Sequence, residues 1–245
     1  MKMKENENEK KTAAGEDSTR DLIKELGLLT TGTDFETDIQ YINIIGSIEG
    51  HSILPADNKA TKYEHLIPQL IAVEENPKLK GLLVILNTVG GDVEAGLALA
   101  EMISTLSKPT VSLVLGGGHS IGIPLATATD YSFIAGTATM TLHPIRTTGL
   151  VITSETTFDY MRKTQERVVD FIVAHSHAER EVIVDLMNCN DNISNDVGTI
   201  LFGKEAVEAG IIDEIGGVSQ AIGELRRRIG DEERDVEHDE KQAGK

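Results

Sequence analysis

The sequence predicts an α/β protein with a largely parallel sheet. Between its charged ends, apolar strand-like runs alternate with segments whose apolar residues recur at helical spacing, a pattern typical of strand–helix–strand units. Residues 81–87 are almost continuously apolar, as expected of a strand that is covered on both faces. Two glycine-rich segments, residues 87–92 and 116–122, follow such runs, where strands turn into helices.

The elements follow in order from the same patterns. Alternation with period two and apolar runs indicate strands, and spacings of three, four and seven indicate helices. The predicted strands are residues 38–46, 81–87, 110–115, 131–134 and 139–142, and the predicted helices are 63–73, 90–106, 120–129 and a long helical region over 154–187. Residues 198–215 are interpreted as strand, helix and strand, and residues 218–229 as a last helix.

We predict a single domain, residues 37–225, between two polar ends. Residues 1–36 are rich in Lys, Glu, Asn, Thr and Gly, and such a segment buries too little apolar surface to offset its ordering entropy. They are expected to form a flexible arm. Residues 226–245 are highly charged and are expected to extend the last helix and then fray as a tail.

Composition excludes several classes of protein. The formal net charge of −17 argues against a nucleic-acid partner, because phosphate binding needs clustered Lys and Arg. The single cysteine, Cys189, excludes an internal disulfide and fits a reducing compartment. The chain starts without the apolar segment of a signal peptide, and no apolar run is long enough to span a bilayer. The expectation is a soluble, cytoplasmic protein.

Ser120 and His143 are the candidates for nucleophilic chemistry. Ser120 lies in the second glycine-rich segment, at a predicted helix start, where a serine either caps the helix or acts as a nucleophile beside helix N–H groups. His143 follows a predicted strand, so its ring can emerge at the strand end and serve as a base. Of the competing histidines, His119 is expected to point away from Ser120, and His175 and His177 are interpreted as solvated helix positions.

Other site chemistries find less support. No Gly-Lys-Ser/Thr follows the glycines, and their spacing differs from that of a dinucleotide site. The absence of a His-Glu-x-x-His motif or a Cys/His cluster predicts no metal and no cofactor. A third group should orient the imidazole, and spacing alone leaves six candidates open: Asp130, Asp159, Asp170, Asp185, Asp191 and Asp196.

Four segments in order resemble the ClpP family of serine peptidases, within the crotonase-like fold group. They are Asn87-Thr88-Val89-Gly90-Gly91, Gly116-Gly117-Gly118-His119-Ser120-Ile121-Gly122, Leu142-His143-Pro144 and Glu205-Ala206-Val207-Glu208-Ala209-Gly210-Ile211-Ile212-Asp213. The first carries Val89 where the family usually has Pro. The resemblance covers residues 38–222 and implies repeated β-β-α units with a protruding handle helix, for which residues 154–187 are the candidate.

The resemblance also implies roles for individual residues. Ser120 would be the nucleophile and His143 the base, with the N–H groups of Gly91 and Ile121 as the oxyanion hole. Asp196 would complete the triad, with Asp191 as the second choice.

The implied partners are a peptide or unfolded protein substrate, other copies of the chain in a heptameric ring or stacked rings, and an ATPase chaperone. No nucleotide motif is present, so ATP would act through that partner. Within the family, residues 85–91 and 118–124 favour a branch linked to protein export.

Three alternatives stay open. The chain could be a catalytically weak scaffold or adaptor that supports preprotein translocation. It could be an acyl-CoA enzyme of the crotonase type, which shares the paired oxyanion N–H groups but would not need Ser120 beside His143. A relative of signal peptide peptidases would use a lysine base, for which Lys163 is the nearest candidate, although His143 makes this less favoured.

Overall fold

The computed structural model describes residues 37–146, 154–189 and 197–243. The predicted N-terminal arm, residues 1–36, lies outside them. The strands are β1 (Ile39–Glu49), β2 (Ala60–Lys62), β3 (Gly81–Gly91), β4 (Thr110–Gly118), β5 (Tyr131–Ile134), β6 (Thr139–Leu142), β7 (Thr199–Phe202) and β8 (Glu214–Ile215). The helices are α1 (Tyr63–Glu75), α2 (Val93–Ser104), α3 (Gly122–Thr127), α4 (Ser154–Ala174), α5 (Arg180–Asn188), α6 (Gly203–Glu208) and α7 (Val218–Ala243).

The strands form one largely parallel sheet. Its main path runs β2-β1-β3-β4-β5-β8, and every neighbouring pair along it is parallel. β6 branches off at the end of β4, where Gly117 pairs with Thr139, and β7 pairs with β6 in the antiparallel direction. The predicted α/β class with a largely parallel sheet is therefore confirmed.

Strand β3 shows why the sheet is covered on both faces. Leu82, Val84 and Leu86 belong to the larger buried cluster. Leu83, which points the other way, packs in a second cluster with residues of α7 such as Leu225. Because both pleat faces are buried, the strand has no polar alternation, as its continuous apolar sequence predicted.

The glycine-rich segments are less helical than predicted. The helix expected over 90–106 begins at Val93, because Gly90 and Gly91 continue β3 and Asp92 caps α2 by accepting a hydrogen bond from the N–H of Ala95 at 2.9 Å. The helix expected over 120–129 is the shorter α3. The strands predicted at 131–134 and 139–142 have the predicted bounds.

The long helical region over 154–187 is two helices, α4 and α5. His175 and His177 lie in the connection between them rather than within a helix, and both are exposed as expected. The ring of His175 stacks on Phe171, and that of His177 lies 3.1 Å from a carboxylate oxygen of Asp213.

The last helix continues well past residue 229. Helix α7 extends to Ala243, through most of the segment expected to fray. Arg227 pairs with Glu224 and Asp231 on neighbouring turns, and Arg228 also pairs with Glu224. Pairs three and four residues apart stabilise a charged helix, and charge content alone did not reveal this spacing.

Candidate active site

The ends of β3 and β4 converge through the buried residue Thr88. Its carbonyl oxygen accepts the N–H of His119 at 3.2 Å. Its hydroxyl donates to the carbonyl of Gly46 at 2.6 Å and accepts the N–H of Gly90 at 3.0 Å. These bonds join the first glycine-rich segment, residues 87–92, to the second, residues 116–122, which is called the serine loop below.

Glycine at position 90 is required by the close approach of these two segments. Its φ of +87° lies in the left-handed region, which side chains with a Cβ rarely adopt. A Cβ on Gly90 would lie 2.7 Å from the Cβ of Ser120 and 2.9 Å from the carbonyl oxygen of His119. The glycine therefore lets the backbone of one segment contact the serine of the other.

Ser120 occupies a sharp strand-to-helix turn. Its φ is +56°, and no other non-glycine residue in the described part of the chain has a positive φ. Such a conformation costs about 1–2 kcal/mol, and strained serines at this kind of turn are typical of nucleophiles. The N-cap of α3 is Ile121 rather than Ser120, so the helix-capping interpretation of this serine is wrong.

The ring of His143 is held in one tautomer. The Nδ1–H of His143 donates to the carbonyl oxygen of Pro144, with a separation of 2.7 Å. Because a carbonyl oxygen can only accept, the proton of the neutral ring resides on Nδ1 and leaves Nε2 as an acceptor. This is the tautomer that a general base needs when it takes a proton through Nε2.

One cavity of about 230 Å³ collects four of the predicted site residues: Gly91, Ser120, Ile121 and His143. The rest of its lining is apolar except for Arg146, and consists of Val89, Val93, Ile123, Leu142, Ile145, Val168, Ile172 and Met187.

Among the described residues, the N–H of Ile121 donates to no acceptor. Within the same ranges, no hydrogen bond joins the Ser120 hydroxyl to His143, and catalytic contacts are often long until substrate binds.

Of the six aspartate candidates, four are described and none contacts His143. Asp130 bonds to Thr110 at the opposite end of β4. The other three are exposed on α4 or α5, namely Asp159, Asp170 and Asp185. Asp191 and Asp196 lie outside the described residues, so the triad assignment stays a prediction.

A hydrogen bond joins the described residues on the two sides of the undescribed aspartates, and one of its partners lies beside His143. The N–H of Gly198 donates to the carbonyl of Cys189 at 2.8 Å. A Cβ on Gly198 would lie 2.9 Å from the Cβ of His143. The described chain that resumes after Asp196 therefore passes next to His143 at Gly198.

Sequence reasoning missed two residues behind the cavity. The Nδ1 atom of His119 lies 2.8 Å from Oγ1 of Thr141, within hydrogen-bonding distance. Burial, and then the charge of nearby His143, lower the pKa of His119. His119 was expected to point away from Ser120, and its ring faces β6 and Gly117 rather than lining the cavity. Only the register of β6 against the serine loop reveals Thr141, because it belongs to no motif.

The described residues also bear on the lysine base, the metal site and the membrane span that the sequence analysis considered. Lys163 is exposed on α4 and does not line the cavity with Ser120. Among the described residues, no group of three or more His, Cys, Asp and Glu side chains could hold a metal ion. No helix within the same ranges has the length and apolar content needed to cross a membrane.

The fold and the serine loop are those of one protein class. The chain belongs to the Clp protease family, whose profile matches residues 36–219. The resemblance drawn from the four sequence segments is thereby confirmed, and the chain is a ClpP-type, protease-like protein.

Sequence comparison with individual members of the family gives more detail. The translocation-enhancing protein TepA of Halalkalibacterium halodurans is 56% identical over 207 residues, which cover 84% of this chain and 81% of that protein. The ATP-dependent Clp protease proteolytic subunit 1 of Chlamydia muridarum is 28% identical over 140 residues, which cover 55% of this chain and 69% of that protein. The predicted likeness to this member of the family is thereby confirmed.

Proposed function

We propose that the chain is a serine endopeptidase of the ClpP type. The observation that carries the proposal is the single cavity that gathers Ser120, His143, Gly91 and Ile121. These residues come from the ends of three different strands, and their convergence on one space is what nucleophilic catalysis requires.

The geometry supports a standard order of steps. Nε2 of His143 accepts the proton of the Ser120 hydroxyl as the Oγ atom attacks the carbonyl carbon of a peptide bond. The N–H groups of Gly91 and Ile121 stabilise the resulting oxyanion, and each such donor contributes roughly 3 kcal/mol to transition-state stabilisation. The imidazolium of His143 then protonates the leaving amine, and water activated by the same ring hydrolyses the acyl-enzyme.

Asp196 is the proposed third member of the triad, with Asp191 as the second choice. A Cβ on Gly198, two positions after Asp196, would lie 2.9 Å from the Cβ and 3.0 Å from the Cα of His143. In the present geometry the Pro144 carbonyl accepts the Nδ1–H. A carboxylate that replaced or joined it would add a negative charge beside the imidazolium that forms during the reaction.

The lining of the cavity indicates the substrate class. Apart from Arg146, the side chains beyond the reacting groups are aliphatic or methionine, including Val93, Ile123 and Met187. Such a pocket favours an apolar side chain beside the cleaved bond. Peptides or unfolded proteins, which expose apolar side chains, are therefore the proposed substrates.

Assembly and location are part of the same proposal. Proteins of the family generally form oligomeric rings, and α4 exposes large apolar side chains such as Phe158, which is 69% exposed. We expect these side chains to contact other copies in a heptameric or stacked ring in the cytoplasm. A link to protein export and a partner ATPase are proposed from the names of the TepA and Clp relatives.

A fluorophosphonate probe tests the mechanism directly, because it modifies only an activated serine. Wild type is expected to be labelled at Ser120 and to cleave unfolded protein, whereas Ser120→Ala should lose both properties. Ser107→Ala is the matched control, since Ser107 is exposed, bonds to Glu74 and precedes the amino end of β4, opposite to the end that carries the serine loop. Absence of labelling in wild type would contradict the peptidase and favour the scaffold or adaptor for preprotein translocation.

A further inference from the structure

We propose that His119 and Thr141 form a positioning pair that holds Ser120 at its working distance from His143. The catalytic consequence rests on the proposed function, but the pair itself is a property of the fold. Neither residue lines the cavity, so the pair would act through the position of Ser120 rather than by touching substrate.

Thr141 holds the serine loop at two consecutive residues. Its carbonyl oxygen accepts the N–H of Ser120 at 2.8 Å. Its hydroxyl is hydrogen-bonded to Nδ1 of His119, also at 2.8 Å. His143 directly follows β6, two residues beyond Thr141. One residue of the strand that leads to the base therefore fixes the loop that carries the nucleophile.

His119 extends the connection to the end of β3. Its backbone N–H donates to the carbonyl of Thr88, which also shapes the turn before Gly91 through its hydroxyl. Its ring is half-buried and packs against Gly117, where a Cβ would lie 2.6 Å from Nε2. His119 thus joins all three segments that supply the groups around the cavity.

The ring of His119 is suited to this role in its neutral form. Burial and the neighbouring His143 both lower the pKa of His119, so the ring is uncharged at neutral pH. An uncharged ring adds no repulsion when His143 becomes an imidazolium during catalysis.

The strained conformation of Ser120 explains why such a pair is needed. A residue with a Cβ at a φ of +56° tends to relax unless its surroundings hold it. A displacement of about 1 Å between reacting groups can lower a rate about a hundredfold. Loss of the Thr141 hydroxyl removes one of the two bonds from β6 and is expected to let the loop shift.

Thr141→Val tests the pair, because valine keeps the shape of threonine and removes its hydroxyl. Thr139→Val is the matched control: Thr139 lies on the same strand, is similarly half-buried, and its hydroxyl makes no hydrogen bond within the described ranges. We expect Thr141→Val to lower kcat and the rate of fluorophosphonate labelling about tenfold or more, with KM changed less than about twofold. Thr141→Ser, which restores the hydroxyl, should recover most of the rate.

A double-mutant cycle with His119→Ala shows whether the two side chains act together. If they do, the combined variant loses little more rate than either single variant. Additive losses, or a Thr141→Val variant that reacts like Thr139→Val, would overturn the proposal.

Hydrogen–deuterium exchange gives a readout that needs no activity. In the intact protein, the peptide that covers residues 116–122 should exchange faster in Thr141→Val and in His119→Ala than in wild type or Thr139→Val. If the fluorophosphonate does not label wild type, the peptidase proposal fails. The exchange comparison still shows whether His119 and Thr141 hold the serine loop in place. Equal exchange in all four proteins would refute it.

Discussion

The two ends of strand β4 carry polar side chains that differ in how their hydrogen bonds are satisfied. At the amino end, Thr110 is 2% exposed. A carboxylate oxygen of Asp130 accepts its N–H at 2.7 Å and its hydroxyl at 2.9 Å. The Thr110 hydroxyl in turn accepts the N–H of Asp130 at 2.9 Å. Every donor in this small network has an acceptor.

At the carboxyl end, polar groups face a cavity instead. The Ser120 hydroxyl has no hydrogen-bond partner among the described residues, and its backbone has a positive φ. The satisfied network at the amino end therefore stabilises the sheet, whereas the unsatisfied groups at the carboxyl end remain available to bind a substrate. Changes at the two ends should therefore separate stability from activity.

The largest expected effect is on the rate, from His143→Ala. Loss of a general base lowers the rate about 10²- to 10⁴-fold, while the free energy of unfolding should change little because His143 is only half-buried. The labelling rate with a fluorophosphonate and the denaturant midpoint measure the two quantities. His175→Ala, which changes an exposed histidine outside the cavity, is the control and should match wild type in the labelling rate. A His143→Ala variant that labels at the wild-type rate would refute the assignment of the base.

The next effect is on stability, from Asp130→Ala at the opposite end. The change leaves the buried N–H of Thr110 without its acceptor and is expected to lower the free energy of unfolding by about 1–3 kcal/mol. Denaturant unfolding at fixed protein concentration measures this loss. Below the unfolding transition, the labelling rate should stay close to that of wild type. A large fall in that rate, in a protein that remains folded, would show that the two ends are coupled.

The smallest effect is on the pH dependence of stability, through His119. Its pKa is lowered in the folded protein by burial and by the charge of His143, whereas the pKa of a histidine in an unfolded chain is about 6.5. Between the two values the unfolded chain binds more protons, so the free energy of unfolding rises with pH across that window. The stability gained by keeping His119 neutral is present above the pKa that His119 has in the unfolded chain. It is lost as the pH falls towards the pKa of His119 in the folded protein.

Unfolding at pH 7.5 and 5.5 in wild type and His119→Gln measures this contribution. Wild type is expected to lose more stability than the variant as the pH falls, since Gln does not titrate. The His175→Gln variant controls for the general effect of removing a histidine. An equal loss in wild type and His119→Gln would show that His119 does not contribute.

Much of the fold follows from local patterns. The continuous apolar run of β3 and the short strands β5 and β6 are recognisable because burial on both faces, or alternation, leaves a direct trace in the sequence. Helix boundaries were less well predicted at Gly90 and Ser120. There, hydrogen bonds to distant strands, from the N–H of Asp92 to Ile48 and from the N–H of Ser120 to Thr141, help to decide where the helix begins.

The residues of the candidate site likewise fall into those that the sequence predicted and those that it could not predict. Ser120, His143, Gly91 and Ile121 belong to segments with a recognisable motif, and the structure brings them to one cavity. Thr141 and the role of His119 could not be predicted, because their contact depends on the register of β6 beside the serine loop. No spacing along the chain encodes that register.

By itself, the sequence determined the class of fold, the family and the chemical types present at the site, because these depend on local composition and ordered motifs. The tertiary structure alone decided which groups meet: the positive φ of Ser120 and the bond between His119 and Thr141. The physical reason is that each of these depends on contacts between strand ends far apart in the chain, and the sheet sets the distances between those ends.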